Sequence, residues 1–251
     1  HRMSLKSGDA KYLDAFEQTL YNGLLSGVSI AGNTFFYQNP LESTSMRSGN
    51  GRFAYTEVAC CPANLSRLLA QLPGLLYAQR GNELFVDLYM DSEATVKLDG
   101  GTVRVKQTTN YPWEGKVRIS VSMEKPVRFT LKLRVPGWLG AGPFASDLYT
   151  YTEPSGARIS GGLGDMAGLP AAVSGWISVP ITHSLADEAE TALHIDIPMP
   201  IRRVVANPRV MADEGKSAIQ RGPIVYCLEG VDNGGSVLDA AVPMTTRFTP
   251  A

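Results

Sequence analysis

Val127-Arg128-Phe129-Thr130-Leu131-Lys132-Leu133-Arg134-Val135 alternates apolar and polar residues without a break. Successive side chains of an extended chain point to opposite faces, so Phe129, Leu131, Leu133 and Val135 share one face while Arg128, Thr130, Lys132 and Arg134 share the other. The first face is expected in a core and the second in water, as in an antiparallel sheet with one wet side. Pro136-Gly137-Trp138 closes the run.

Similar short runs lie on both sides of it. Leu84 to Met90, Thr102 to Gln107 and Lys116 to Met123 come before, separated by turn signals such as Asp99-Gly100-Gly101. Trp176 to Pro180, Leu193 to Ile197 and Ile219 to Glu229 come after, and a second β unit is expected to begin near Ile201. Strands at roughly ten-residue spacing predict a β-sandwich. Gly140 to Gly175 is glycine-rich and reads as loop, with no phosphate-binding glycine pattern opening a helix, and Val237 to Ala251 trails off.

Up to Pro73-Gly74 the texture is helical. Asp9 is a candidate N-cap, followed by an apolar stripe of Tyr12, Leu13, Phe16, Leu20 and Leu24 that reaches Gly23 or Gly27. Val28 to Tyr37 reads as a hairpin around Ala31-Gly32-Asn33, and Ser43 to Arg52 as a polar surface loop. Pro62 then suits the first turn of a helix whose Leu65, Leu68, Leu69 and Leu72 recur at helical spacing up to Pro73-Gly74. The expected class is therefore α+β and mostly β.

That second helix opens on Cys60-Cys61. Unpaired N–H groups and the positive end of the helix dipole favour a thiolate there, and a thiolate is both nucleophile and metal ligand. Adjacent cysteines seldom pair with each other, because an unstrained disulfide holds its Cα atoms farther apart. Zinc takes about four ligands, so the pair supplies at most half a site. The competing reading is a buried small hydrophobe, which two consecutive residues on one amphipathic face do not suit.

With 23 basic and 24 acidic residues among 251, the chain has no basic footprint for nucleic acid. No run approaches the ~20 apolar residues that cross a bilayer. Three cysteines make no disulfide framework, and Cys227, in Ile224-Val225-Tyr226-Cys227-Leu228, reads as part of a buried strand. His1, His183 and His194 lie far from the cysteines in sequence and are not expected as ligands or bases. Neither a serine nucleophile elbow nor a His-Glu-x-x-His helix is present.

Six segments together resemble glycoside hydrolase family 127, the β-L-arabinofuranosidase-like family. They are Leu20-Tyr21-Asn22-Gly23 with Leu25-Ser26-Gly27, Phe35-Phe36-Tyr37-Gln38-Asn39-Pro40-Leu41-Glu42, Ala59-Cys60-Cys61-Pro62-Ala63-Asn64 with Arg67-Leu68-Leu69-Ala70, Leu84 to Tyr89, Arg134-Val135-Pro136-Gly137-Trp138, and Gln220 to Tyr226. The resemblance implies the end of an (α/α) helical barrel over residues 1–78, an antiparallel β-sandwich over 79–200 and the start of a second β unit over 201–251. It also implies a retaining glycosidase for β-L-arabinofuranosides or similar sugars, with a cysteine nucleophile held by zinc.

Cys60 falls at the family's nucleophile and Cys61 at a zinc ligand, so both are expected to hold Zn. Glu17 and Tyr37 fall at active-site positions and are expected to bind the sugar. The family's acid/base glutamate and a Glu-x-Cys pair that completes its zinc site lie upstream of the stretch matched here. The chain is therefore expected to be the C-terminal portion of a longer enzyme, or a truncated paralogue, without turnover of its own. A carbohydrate is the expected partner; a homodimer and the cellular location stay open. The alternative from another class is a non-catalytic β-sandwich that binds carbohydrate or serves structure. A cysteine redox or acyl-transfer protein is disfavoured by the lack of a nearby histidine or a Cys-x-x-Cys pair.

Overall fold

The computed structural model describes residues 1–37, 51–55, 57–58, 60–154, 157–163, 168–181, 191–235, 237 and 239–249. Its elements are mostly strands. Three α-helices, α1 (Arg2–Ser7), α2 (Lys11–Gln18) and α3 (Cys60–Gln71), lie ahead of the main sheets, with the short pair β1 (Phe35–Phe36) and β2 (Arg52–Phe53) between the last two helices. Then come β3 (Tyr77–Arg80), β4 (Glu83–Val86), β5 (Ser92–Leu98), β6 (Gly101–Thr109), β7 (Lys116–Met123), β8 (Phe129–Arg134), β9 (Tyr149–Tyr151) and β10 (Ser160–Leu163). The last are β11 (Trp176–Ile181), β12 (Thr191–Asp196), β13 (Ile201–Ala206), β14 (Ser217–Arg221) and β15 (Ile224–Tyr226).

The alternating runs become two sheets, ordered β10-β12-β7-β6-β5 and β11-β8-β4-β3. All pairings are antiparallel except β4 with β8, which places Leu84 beside Leu131 and Val86 beside Leu133. The apolar faces of both sheets share one core, in which Leu84, Leu131, Leu133 and Val179 meet Val103, Val105, Ile119 and Leu193. Each such fully buried side chain contributes about 1.5–3 kcal/mol. A third sheet, ordered β15-β14-β13-β9, takes its β9 edge from the segment between β8 and β10.

α2 packs on the outer side of the β11-β8-β4-β3 sheet, where Ala10 and Leu13 meet Phe85 and Trp176. A π-helical turn over Thr19–Leu24 continues α2 and buries Leu20 against Leu76 and Leu88. Asp9 accepts the Lys11 N–H at 3.0 Å, one residue ahead of the N-cap, Ala10.

Several expectations need correction. Arg134 does not face water: it is fully buried, because carboxylates of α2 cover that end of the sheet. The stretch read as loop from Gly140 to Gly175 contains β9 and β10, too short and glycine-rich to show alternation. Cys227 is exposed, since β15 is a sheet edge where Val225 and Tyr226 are exposed as well. His183 and most of the loop expected from Ser43 to Arg52 lie outside the described residues. No helix is long and apolar enough to cross a membrane among the described residues.

The RVPGW segment explains the burial of Arg134. Its Nη1 donates to Asp14 Oδ1 at 2.8 Å, its Nη2 to Glu17 Oε1 at 2.5 Å and its Nε to the Asp87 carbonyl at 2.7 Å. Gly137 N donates to Asp14 Oδ1 at 2.9 Å, and Trp138 Nε1 to Glu17 Oε2 at 3.1 Å. A Cβ on Gly137 would collide with the Asp14 carboxylate. One strand end thus reads two carboxylates one helical turn apart, which locks α2 to β8.

Candidate active site

Cys60 and Cys61 are the first two residues of α3, with Pro62 third, where its missing N–H leaves no helical bond unmade. Asn64 Nδ2 donates to the Cys60 carbonyl at 2.8 Å, and Arg67 Nη2 donates in turn to Asn64 Oδ1. These two side chains brace the first turn. Cys60 is exposed and Cys61 half-buried, which removes the buried-hydrophobe reading. Of the apolar stripe, Leu65 and Leu68 are half-buried, Leu69 is exposed, and α3 has no buried residue.

The two sulfurs lie 3.7 Å apart. Tetrahedral zinc with Zn–S bonds of about 2.3 Å spaces two thiolates about 3.8 Å apart, so the pair matches one edge of such a site. Among the described residues no group of three His, Cys, Asp or Glu side chains forms a complete metal shell. Cys60 and Cys61 thus have the spacing of two thiolate ligands, with no third such ligand grouped with them among the described residues.

Tyr37 comes to the cysteines from the end of β1. Phe35 and Phe36 pair with Phe53 and Arg52, and a Val28–Phe35 bridge closes the expected hairpin around Gly32. The Tyr37 hydroxyl stands 3.5 Å from Cys60 Sγ. That contact, followed by the one with Cys61, holds the Cys60 thiol below its ordinary pKa. The same contact raises Tyr37, and the neighbouring Cys60 raises Cys61. All three shifts fit a Cys60 thiolate that accepts from a phenol and a thiol.

Glu17 is placed elsewhere. Its side chain is 0% exposed and takes hydrogen bonds from Tyr111 Oη at 2.7 Å, from Arg134 and from Trp138. A carboxylate so enclosed has no face for a sugar, and its visible work is to hold α2 on the β region. The structure brings Tyr37, Cys60 and Cys61 together, with Glu17 in the buried lock. His1 lies 3.4 Å from Asp87, and His194 sits in β12 opposite Arg118. Sequence reading passed over Asn64 and Arg67 as supports, although both stand at helical spacing from Cys60, and it passed over Asp14.

Comparison with known proteins gives a consistent result along the chain. Residues 1–74 match the model described as the beta-L-arabinofuranosidase GH127 catalytic domain, residues 83–154 the GH127 middle domain and residues 201–250 the glycoside hydrolase family 127 C-terminal domain. A non-reducing end beta-L-arabinofuranosidase from Bifidobacterium longum is 33% identical over 240 residues, covering 90% of this chain and 33% of that protein. A solved GH127 beta-arabinofuranosidase is 39% identical with a TM-score of 0.83, covering 92% of this chain and 35% of that one. A solved GH127 beta-L-arabinofuranosidase from Geobacillus stearothermophilus T6 is 37% identical with a TM-score of 0.77, covering 93% and 35%. The chain thus spans about a third of the length of these relatives.

Proposed function

The chain belongs to glycoside hydrolase family 127, and we propose that it supplies the nucleophile of a retaining glycosidase acting on terminal β-L-arabinofuranosides. The observation that carries this reading is the Tyr37 hydroxyl 3.5 Å from an exposed Cys60 sulfur in the first turn of α3. The names of the relatives support the sugar class. In this reading α2 and α3 are parts of an (α/α) barrel, which the incompletely buried apolar stripe of α3 favours, and the two sheets with a common core form the β-sandwich.

The Cys60 thiolate attacks the anomeric carbon; a C–S bond forms as the bond to the leaving oxygen breaks, and an acid protonates that oxygen. Water then attacks the same carbon, the C–S bond breaks, the acid's conjugate base takes the proton of the water, and the thiolate returns. No residue of this chain is assigned as that acid, and the sugar contact expected of Glu17 is set aside because its carboxylate is enclosed. Tyr37 holds the sulfur by its hydroxyl and faces the sugar, while Asn64 and Arg67 keep the first turn of α3 in place. Cys60 and Cys61 would hold zinc, whose contribution when bound is to keep the thiols ionised.

The test is covalent capture. Incubation with an activated β-L-arabinofuranoside carrying a good leaving group, followed by peptide mass spectrometry, should place a pentosyl group on Cys60 in the protein and none in Cys60→Ser. Labelling elsewhere, or turnover surviving Cys60→Ser, overturns the assignment. Sugar binding without a Cys60 adduct or any turnover would favour a binding module instead.

A further inference from the structure

Tyr37 reaches Cys60 from a strand of two residues, paired with only two residues of β2. So short a ladder has little stability of its own, so side-chain contacts weigh heavily in placing the Tyr37 hydroxyl. Arg52 stands directly opposite Phe36 in that ladder, and its guanidinium lies over the Phe36 ring, 4.5 Å from the centroid. Its Nη2 donates to the Ser26 carbonyl at 2.9 Å, tying the ladder to the end of the helical segment before it. The same nitrogen is 3.9 Å from Glu229 Oε1, just beyond β15. A planar guanidinium can stack and donate at once, which an ammonium cannot.

We propose that Arg52 is a positioning residue for the Cys60 nucleophile: it fixes Phe36, and thereby the adjoining Tyr37, at the distance where the phenol meets the sulfur. Glu229 ties this clamp to the third sheet, whose β14–β15 hairpin is itself held by Asn22, which donates to the Pro223 carbonyl and accepts from Val225 N, both at 2.8 Å. The third sheet is thus connected to the cysteines through Arg52, Phe36 and Tyr37. The inference rests on the reading of Cys60 as the reactive sulfur.

The test follows alkylation of Cys60 by iodoacetamide at one fixed pH well below the ordinary thiol pKa, about pH 6, where loss of the contact slows the reaction, on protein freed of metal by a chelator, with the adduct resolved by peptide mass spectrometry. Tyr37→Phe sets the scale, and loss of one such hydrogen bond is expected to slow the reaction by about threefold to tenfold. Arg52→Ala is expected to slow it equally, with no further loss in the double variant, because both changes remove one contact. Arg52→Lys should restore little, and Glu229→Gln should give a smaller slowing while leaving the ladder intact. Thermal melts accompany each variant; a lowered melting temperature with an unmoved Cys60 rate counts against the proposal. A normal rate in Arg52→Ala beside a slowed Tyr37→Phe, or additive effects, overturns the role of Arg52 and leaves the nucleophile standing. A normal rate in Tyr37→Phe overturns the Tyr37 contact and the proposal together.

Discussion

Replacing Arg134 by methionine keeps most of the side-chain length and removes its charge. Three hydrogen bonds disappear, to Asp14, Glu17 and the Asp87 carbonyl, at a site where Arg134 and Glu17 are 0% exposed and Asp14 6%. Removing one partner of a buried ion pair costs about 3–5 kcal/mol, because the remaining charge stays desolvated. With two carboxylates left behind, the expected loss is about 5 kcal/mol, or roughly a 10–20 °C fall in melting temperature for a chain of this size. Burial already raises Asp14 from its ordinary value despite Arg134 beside it, and carboxylates stripped of their cation bind protons more readily. The deficit should therefore shrink as the pH falls. Urea unfolding followed by tryptophan fluorescence, at pH 5 and pH 7.5, measures both effects. The variant Asp14→Asn/Glu17→Gln/Arg134→Met, without charge, should recover much of the loss. A deficit below about 1 kcal/mol, the range of an exposed pair, would refute the lock between α2 and β8.

Asp87 supplies a pH prediction: burial pushes its pKa up to about 7, against the Arg134 charge. Its folded pKa lies above its unfolded value of 3.8, so the stability it contributes is full below pH 3.8 and lost as the pH rises through 7. Asp87→Asn should remove a decline of a few kcal/mol between pH 4 and 8, and an unchanged pH profile in urea unfolding would count against it. Gly137→Ala, which drives a methyl group into the Asp14 carboxylate, should destabilise by about 2–3 kcal/mol, and a melting temperature equal to wild type would contradict the packing described. Under the proposed zinc role, Cys60→Ser and Cys61→Ser should each lower zinc stoichiometry in equilibrium dialysis, because each would remove one of two adjacent ligands; metal content unmoved by both changes would exclude the pair as a zinc edge.

In the two large sheets β4, β6, β7, β8, β11 and β12 were legible as short alternating runs, while β3 and β5 were not singled out. β9 and β10 were not: a three-residue strand and a glycine-rich one carry no period. Arg134 shows a limit of face assignment. The alternation placed it opposite Leu133, but only the arrival of α2, 120 residues away in sequence, turns that wet position into a buried one. Glu17 fails for the same reason: beside Phe16 on a helix it has no sequence mark of the three donors waiting on distant strands. Cys60 and Cys61 were legible because proline and the leucine period fix the helix start locally. Tyr37 rested on resemblance, and its place beside Cys60 depends on a ladder that spacing alone does not predict.

The separation between α2 and its lock also bears on synthesis. A ribosome that has released Asp14 and Glu17 must add well over a hundred further residues before Arg134, Gly137 and Trp138 emerge. The apolar side of α2, with Leu13, can meet Phe85 once β4 is made, but Trp176 only after Arg134. The cation that later buries the two carboxylates is the late arrival, so α2 stays unlocked until more than a hundred residues after it have been made.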